Sequence, residues 1–133
     1  MLPLKLKEIA DAIGAKTKTE IPDIEITNIC TDSRDVKPGS VFVALCGEKF
    51  DGHAFVKTAM ENGALWAVVQ KEGDYGTDKL LFVNTTRQAF LDIAGLYRSK
   101  FSPKVIAVTG SVGKTTTREM IASVIKSRYK TLK

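Results

Sequence analysis

The chain has 133 residues and a mass of 14.5 kDa, enough for one ordinary domain and little more. Its 44% hydrophobic and 26% charged residues give a globular balance, which excludes disordered, collagen-like and coiled-coil classes. The net charge of +5 is uneven, with 11 Lys/Arg against 14 Asp/Glu in residues 1–97 and 9 against 1 in residues 98–133. That basic end lacks the interleaved aromatics of a stacking surface, having only Phe101 and Tyr129, so nucleic acid is not expected as a partner. A chain cut within a domain, leaving one basic helix without its acidic neighbours, also produces this imbalance, and the motifs below favour it. No apolar run approaches the roughly 20 residues that cross a bilayer, and the N-terminus has no signal-peptide core, which predicts a cytoplasmic protein without membrane insertion. Cys30 and Cys46 show no metal or redox spacing and His53 is the single histidine, so free thiols are expected and a multi-histidine metal cage is excluded.

Leu6, Ile9, Ala10 and Ile13 fall at helical spacing ahead of Gly14, predicting a short amphipathic helix over about residues 4–13. Glu25 to Thr31 alternates with period two and Ser40 to Cys46 is a denser apolar run, so both read as strands holding Cys30 and Cys46 as buried small hydrophobes. Between them, Pro38-Gly39 marks a turn, because proline presets one dihedral and glycine accepts positive φ. Phe55, Val56, Ala59 and Met60 predict a second helix up to Gly63, and Ala64 to Gln70 reads as a strand buried on both faces that includes Trp66. The pattern repeats with a strand from Lys79 to Asn84 and a helix carrying Phe90, Ile93, Ala94 and Tyr97 on one face. Thr85-Thr86-Arg87-Gln88 carries the pattern of a capping box at its start, and Ser102-Pro103 ends the segment. Lys104 to Thr109 then reads as another strand, followed by a glycine loop and a helix with Met120, Ile121, Val124 and Ile125 on one side.

The glycine loop is Gly110-Ser111-Val112-Gly113-Lys114-Thr115. Glycines admit backbone amides to phosphate oxygens, a helix N-terminus favours anions, Lys114 reaches terminal phosphates and the Thr115 hydroxyl can ligate Mg²⁺. It departs from the general G-x-x-x-x-G-K-[ST] pattern, since Val108 stands five before Gly113 and the loop is two residues shorter. A second constellation pairs Asp32-Ser33-Arg34, after one strand, with Gly47 to His53, after another. If both strands lie in one sheet, these loops converge on one rim and offer a hydroxyl, a guanidinium, backbone amides and an imidazole to a polar ligand. The same residues also suit a purely architectural role, in which Asp32 and Ser33 form an Asx turn, Arg34 pairs with Asp35 or Asp51, and His53 opens the next helix.

Thr109 to Thr117 resembles the ATP loop of the Mur ligases, the ATP-dependent amide-forming enzymes that build the peptidoglycan stem peptide. Asp32-Ser33-Arg34, Pro38-Gly39, Phe42-Val43-Ala44-Leu45, Gly47, Asp51-Gly52-His53 and Gly63-Ala64 are similar to the N-terminal domain shared by the two later ligases of that family. Ser111-Val112 and the Asp-Gly-His ending place the chain nearest the branch that adds D-Ala-D-Ala. The resemblance implies an α/β fold: an N-terminal domain with a mostly parallel or mixed sheet over residues 1–102, then the first strand, phosphate loop and helix of an ATP-binding domain over residues 103–133. It further implies that Ser33, Arg34, Gly47, Asp51, Gly52 and His53 meet the uridine diphosphate of UDP-MurNAc-tripeptide. Gly110, Ser111, Val112, Gly113, Lys114, Thr115 and Thr116 would hold the phosphates of ATP, with Lys114 catalytic and Thr115 on Mg²⁺.

In the intact enzyme, the resemblance implies, ATP phosphorylates the terminal carboxylate of the tripeptide and D-Ala-D-Ala attacks the acyl phosphate through its amine. An acidic magnesium ligand, a carbamylated lysine and the adenine pocket would follow Lys133, so this chain by itself is not expected to turn over. Three other readings stand beside this one: the neighbouring ligase that adds the third stem residue, a non-catalytic UDP-sugar binding module, and a P-loop switch protein. The apolar side chains Val105, Ile106, Met120, Ile121 and Val124 suit a monomer that packs them internally, or a dimer formed through them.

Overall fold

A computed structural model describes residues 1–132, and the chain divides into two units, Met1–Phe101 and a second from Ser102 onward. In the first, Leu4–Lys5 (β1) leads directly into helix α1, Leu6–Ala12, which buries Leu6, Ile9 and Ala10 as their spacing predicts. The Lys5 backbone N–H at the head of α1 donates to Glu8 Oε2 at 3.2 Å.

The strand expected over residues 25–31 is two strands. Glu25–Ile26 (β2) pairs antiparallel with β1, whereas Asn28–Cys30 (β3) pairs parallel with Ser40–Val43 (β4). Thr27 breaks the run because its backbone N–H donates to Gly39 O at 3.0 Å instead of continuing either ladder. Beyond β4 come a 3₁₀ turn at Gly52–Phe55, helix α2 at Val56–Glu61, strand β5 at Ala64–Val69, strand β6 at Leu80–Phe82 and helix α3 at Thr86–Ser99. The four parallel strands lie in chain order, β3-β4-β5-β6, with Val41 opposite Trp66, Val43 opposite Val68 and Val69 opposite Phe82.

Alternation along these strands separates two apolar layers, because successive side chains point to opposite faces. Val41, Val43, Trp66, Val68 and Leu81 pack with α1 and with Ala89 and Ile93 of α3. Phe42, Ala44, Ala67, Val69 and Leu80 pack with Val56 and Ala59 of α2. β5 is therefore covered on both faces, as its unbroken apolar run predicts, and each fully buried Val contributes about 1.5–3 kcal/mol. The register shifts between Ser40 and Val41, opposite Ala64 and Trp66, which puts Leu65 and Trp66 in the same layer.

Three local expectations are corrected. The buried stripe of α3 is Thr86, Ala89 and Ile93, while Phe90 is exposed. Its capping box does not form: the Thr85 side chain makes no cap bond, Gln88 bonds Asp92 instead, and the Thr86 N–H donates to Gln70 Oε1. In the second unit no strand forms over residues 104–109, because a strand exists only through ladder bonds to a neighbour and none of the described residues pairs with this segment. Helix α4, Lys114–Lys126, does form, since its hydrogen bonds are internal. Val105, Ile106, Met120 and Val124 are all exposed. No helix among the described residues is long and apolar enough to cross a membrane.

Gly39 sits at φ +86°, and a Cβ built there would stand 2.5 Å from Thr27 Oγ1, whereas Gly14 sits at φ +60° with open space around it. Gly14→Ala should cost about 1–2 kcal/mol from the left-handed backbone alone, and Gly39→Ala a further ~1–3 kcal/mol from overpacking. Urea denaturation checks the order. Adding Thr27→Ala should recover part of the Gly39→Ala loss and none of the Gly14→Ala loss.

Candidate functional site

Because β3 to β6 run parallel, their carboxyl ends share one rim of the sheet, the position where open α/β sheets present ligand-binding loops. Both predicted loops lie there. After β3, the Asp32 carboxylate accepts the Arg34 backbone N–H at 2.9 Å, an Asx turn, and grips the Arg34 guanidinium through Nε at 2.9 Å and Nη2 at 2.6 Å. Arg34 thus pairs with Asp32, not with Asp35 or Asp51. The guanidinium and that backbone N–H together hold the Asp32 carboxyl down, from 3.8 to about 2. Ser33 is buried, and its carbonyl accepts from Asn62 Nδ2 at 2.8 Å. Among the described residues nothing bonds the Ser33 hydroxyl, and no sealed side-chain oxygen lacks a partner, so the hydroxyl opens to solvent.

After β4 the chain doubles back in a tight hairpin. Cys46 and Asp51 form an antiparallel bridge, the Gly47 N–H donates to Phe50 O at 2.7 Å, and the Gly52 N–H donates to Leu45 O at 2.8 Å. Cys46 therefore lies beyond β4, which ends at Val43, and is half-buried where a buried strand residue was expected; Cys30 is buried, and that burial pushes its thiol up. At Gly52 a Cβ would stand 2.8 Å from Leu45 O, so the glycine lets the hairpin return close against the chain leaving β4.

Asp51 caps the 3₁₀ turn by accepting the His53 N–H at 3.0 Å. The same oxygen meets His53 Nδ1 at 2.6 Å, and Asp51 Oδ2 meets Lys71 Nζ at 2.5 Å. Lys71 and these two bonds to His53 hold the Asp51 carboxyl well below the usual carboxylate range. On its other side, His53 Nε2 accepts the Gln70 N–H at 3.0 Å, and Gln70 Oε1 accepts from Thr86 N at 2.9 Å and Thr86 Oγ1 at 3.1 Å. A continuous chain of bonds thus runs Lys71–Asp51–His53–Gln70–Thr86 across the ends of β4, β5 and β6.

Sequence reasoning placed Asp51 and His53 at this rim and missed Gln70, Lys71, Thr86 and Asn62. The available signal was positional: a polar pair, Gln70-Lys71, closes the strand that reads as buried on both faces. The depression lined by Gly73 to Asp78 and the one lined by Lys5, Glu8 and Asp23 include no residue of Asp32–Arg34 or Gly47–His53.

The residues expected to form a phosphate loop, Gly110, Ser111, Val112, Gly113, Lys114, Thr115 and Thr116, are all exposed. Gly113 holds φ +76° at the head of α4, a conformation that favours glycine, and its carbonyl accepts the Thr117 N–H at 3.0 Å. Lys114 and Thr115 begin the helix, and no strand forms behind the loop among the described residues.

The profile of the Mur ligase family, catalytic domain, matches residues 25–129. The chain is 47% identical over 105 residues to the UDP-N-acetylmuramoyl-tripeptide–D-alanyl-D-alanine ligase of Synechocystis, covering 77% of this chain and 23% of that protein. It is 38% identical over 130 residues to the UDP-N-acetylmuramoyl-L-alanyl-D-glutamate–2,6-diaminopimelate ligase of Syntrophomonas wolfei, covering 96% and 27%. A crystal structure of MurF from Acinetobacter baumannii superposes with a TM-score of 0.83 at 38% identity, over 98% of this chain and 29% of that one. The chain therefore spans about a quarter of the length of the relatives it matches.

The contacts at the rim set an acid dependence. The Asp32 and Asp51 carboxyls are both lowered in the folded chain, so their stabilising effect is complete above the unfolded value of 3.8 and is lost as pH falls through the folded values. Thermal melts between pH 6 and pH 2 should show stability falling below about pH 4. Asp51→Asn should flatten that fall while leaving less stability at pH 6.

Proposed function

The chain belongs to the Mur ligase family, and on that premise we propose that it forms the N-terminal portion of an ATP-dependent ligase joining D-Ala-D-Ala to UDP-MurNAc-tripeptide. The observation that carries this reading is a conjunction. The stretch shared with the D-alanyl-D-alanine ligases contains Asp32-Ser33-Arg34 and Asp51-Gly52-His53, and the two loops leave neighbouring parallel strands at one rim. In this reading the first unit is the substrate-holding domain, with residues 1–102 taking the uridine diphosphate end. Ser33 offers its open hydroxyl, Arg34 its exposed guanidinium, and Gly47 and Gly52 shape the hairpin that Asp51 and His53 brace.

Residues 103–133 begin the ATP-binding domain. Gly110 to Thr116 surround the phosphates, Lys114 balances the charge that grows on the transferred phosphoryl group, and the Thr115 hydroxyl is one ligand for Mg²⁺. The product of the first step is an acyl phosphate at the tripeptide's terminal carboxylate, which the amine of D-Ala-D-Ala attacks with loss of phosphate. Such a protein works in the cytoplasm on soluble precursors. A second reading, the ligase that adds the third stem residue, is favoured by the 38% identity to a diaminopimelate ligase over nearly the whole chain. An amide-forming assay of the ligase containing this segment, offered D-Ala-D-Ala or diaminopimelate, separates the two.

Calorimetric titration of the chain with UDP-MurNAc-tripeptide should give saturable binding without ATP, and MgATP titrated alone should give none, because no strand backs the phosphate loop. Binding of MgATP without binding of the UDP compound would overturn the domain assignment. In the ligase containing this segment, Lys114→Ala should slow the chemical step by roughly 10²–10³, the scale for removing one preorganised electrostatic contact, and wild-type turnover would remove Lys114 from the mechanism.

A further inference from the structure

His53 has no ring nitrogen to spare. Nε2 accepts from the Gln70 backbone, and a backbone N–H can only donate, so Nε2 carries no proton. The neutral ring therefore holds its proton on Nδ1 and donates it to Asp51 Oδ1 at 2.6 Å. With the residue 7% exposed and both nitrogens engaged within the fold, the imidazole has no donor left for a ligand.

Besides Arg34, a cation that this rim presents is Lys71. It follows Gln70 at the end of β5, its side chain is 50% exposed, and Asp51 Oδ2 holds its Nζ at 2.5 Å. An ammonium has three N–H donors, and the bond to Asp51 orients the group while leaving others for a ligand. The carboxylate that fixes Nζ is itself fixed by His53, and His53 by the Gln70 backbone, so the position of Nζ is set through three successive bonds.

We propose that Lys71 binds the diphosphate of a uridine nucleotide at this rim, and that His53 is a positioning residue that never touches it. The proposal rests on the reading of the first unit as the UDP-binding domain. An exposed lysine on a pre-set carboxylate meets a phosphate oxygen as a point charge through a charge-assisted hydrogen bond, whereas a neutral histidine held at both nitrogens cannot.

The test titrates the whole chain with UDP and, separately, with uridine, which lacks the phosphates. Wild type should bind UDP more tightly than uridine. Lys71→Met should weaken UDP binding by about tenfold to a hundredfold, the range for a hydrogen bond to a charged group, and leave uridine binding unchanged. Lys71→Arg should restore most of the difference. Because His53 is the single histidine, its ring ¹⁵N resonances are unambiguous, and they should report protonated Nδ1 and bare Nε2 both before and after UDP is added. An unchanged UDP-to-uridine ratio in Lys71→Met, or conversion of His53 to imidazolium on UDP binding, overturns the assignment of Lys71 while leaving the domain reading intact. Failure of wild type to bind UDP at all overturns the domain reading, and the proposal with it.

Discussion

Everything at the candidate site is placed by one constraint, the parallel pairing of β3 to β6 in chain order. Parallel strands all finish on the same side, so the loop after each strand is delivered to one rim regardless of the loop's own sequence. The pairing is possible only because β4 and β5 are apolar on both faces: Val43, Val68 and Val69 are wholly buried between α1 and α3 on one side and α2 on the other. Burial on both faces is what a parallel sheet demands, and it is what the run Ala64 to Val69 offers. The hydrogen-bond chain from Lys71 to Thr86 is a consequence. It joins residues far apart in sequence because the strands set their ends side by side.

Periodicity made the layers legible, and its limits are equally physical. The alternation over Glu25 to Thr31 correctly marks extended chain, but alternation does not say which neighbour each residue will pair with, and Thr27 divides the run between an antiparallel and a parallel partner. Lys104 to Thr109 has the composition of a buried strand and lacks a ladder, whereas Lys114 to Lys126 needs none and is helical. The apolar pattern of α3 was legible, yet its packed stripe is turned toward Ala89, which leaves Phe90 outside. A helical wheel gives the width of an apolar face more reliably than its centre.

At the site the same distinction separates what was read from what was missed. The Asp32 turn is local, with donor and acceptor two residues apart, and Asx chemistry predicts it. Asp51 at the head of the turn that carries His53 is local as well. The partners of His53 on its other side are tertiary: Gln70 lies 17 residues away and Thr86 a further 16 beyond Gln70. No spacing rule reaches them. The capping pattern at Thr85 to Gln88 shows how a tertiary partner displaces a local one, for Gln70 satisfies the Thr86 N–H that opens α3.

The two units differ in how they are held, and this bears on how each could meet an anion. The first has layered apolar clusters that fix the rim in place before any ligand arrives, so affinity there is not spent on ordering the loops. In the second, Ala122 is the one buried hydrophobic residue among those described, and a 13-residue helix supplies most of its order. A helix N-terminus attracts phosphate through its amides and dipole, but that attraction is strong only where surrounding structure holds the loop rigid and excludes water. Gly113 holds a left-handed backbone at the head of α4. What a sheet behind residues 104–109 would add is rigidity for Gly110 to Gly113, so the amides no longer have to be ordered as the phosphate binds. On this argument the rim of the first unit is preorganised by its own core, while the loop from Gly110 to Gly113 has no such support among the described residues.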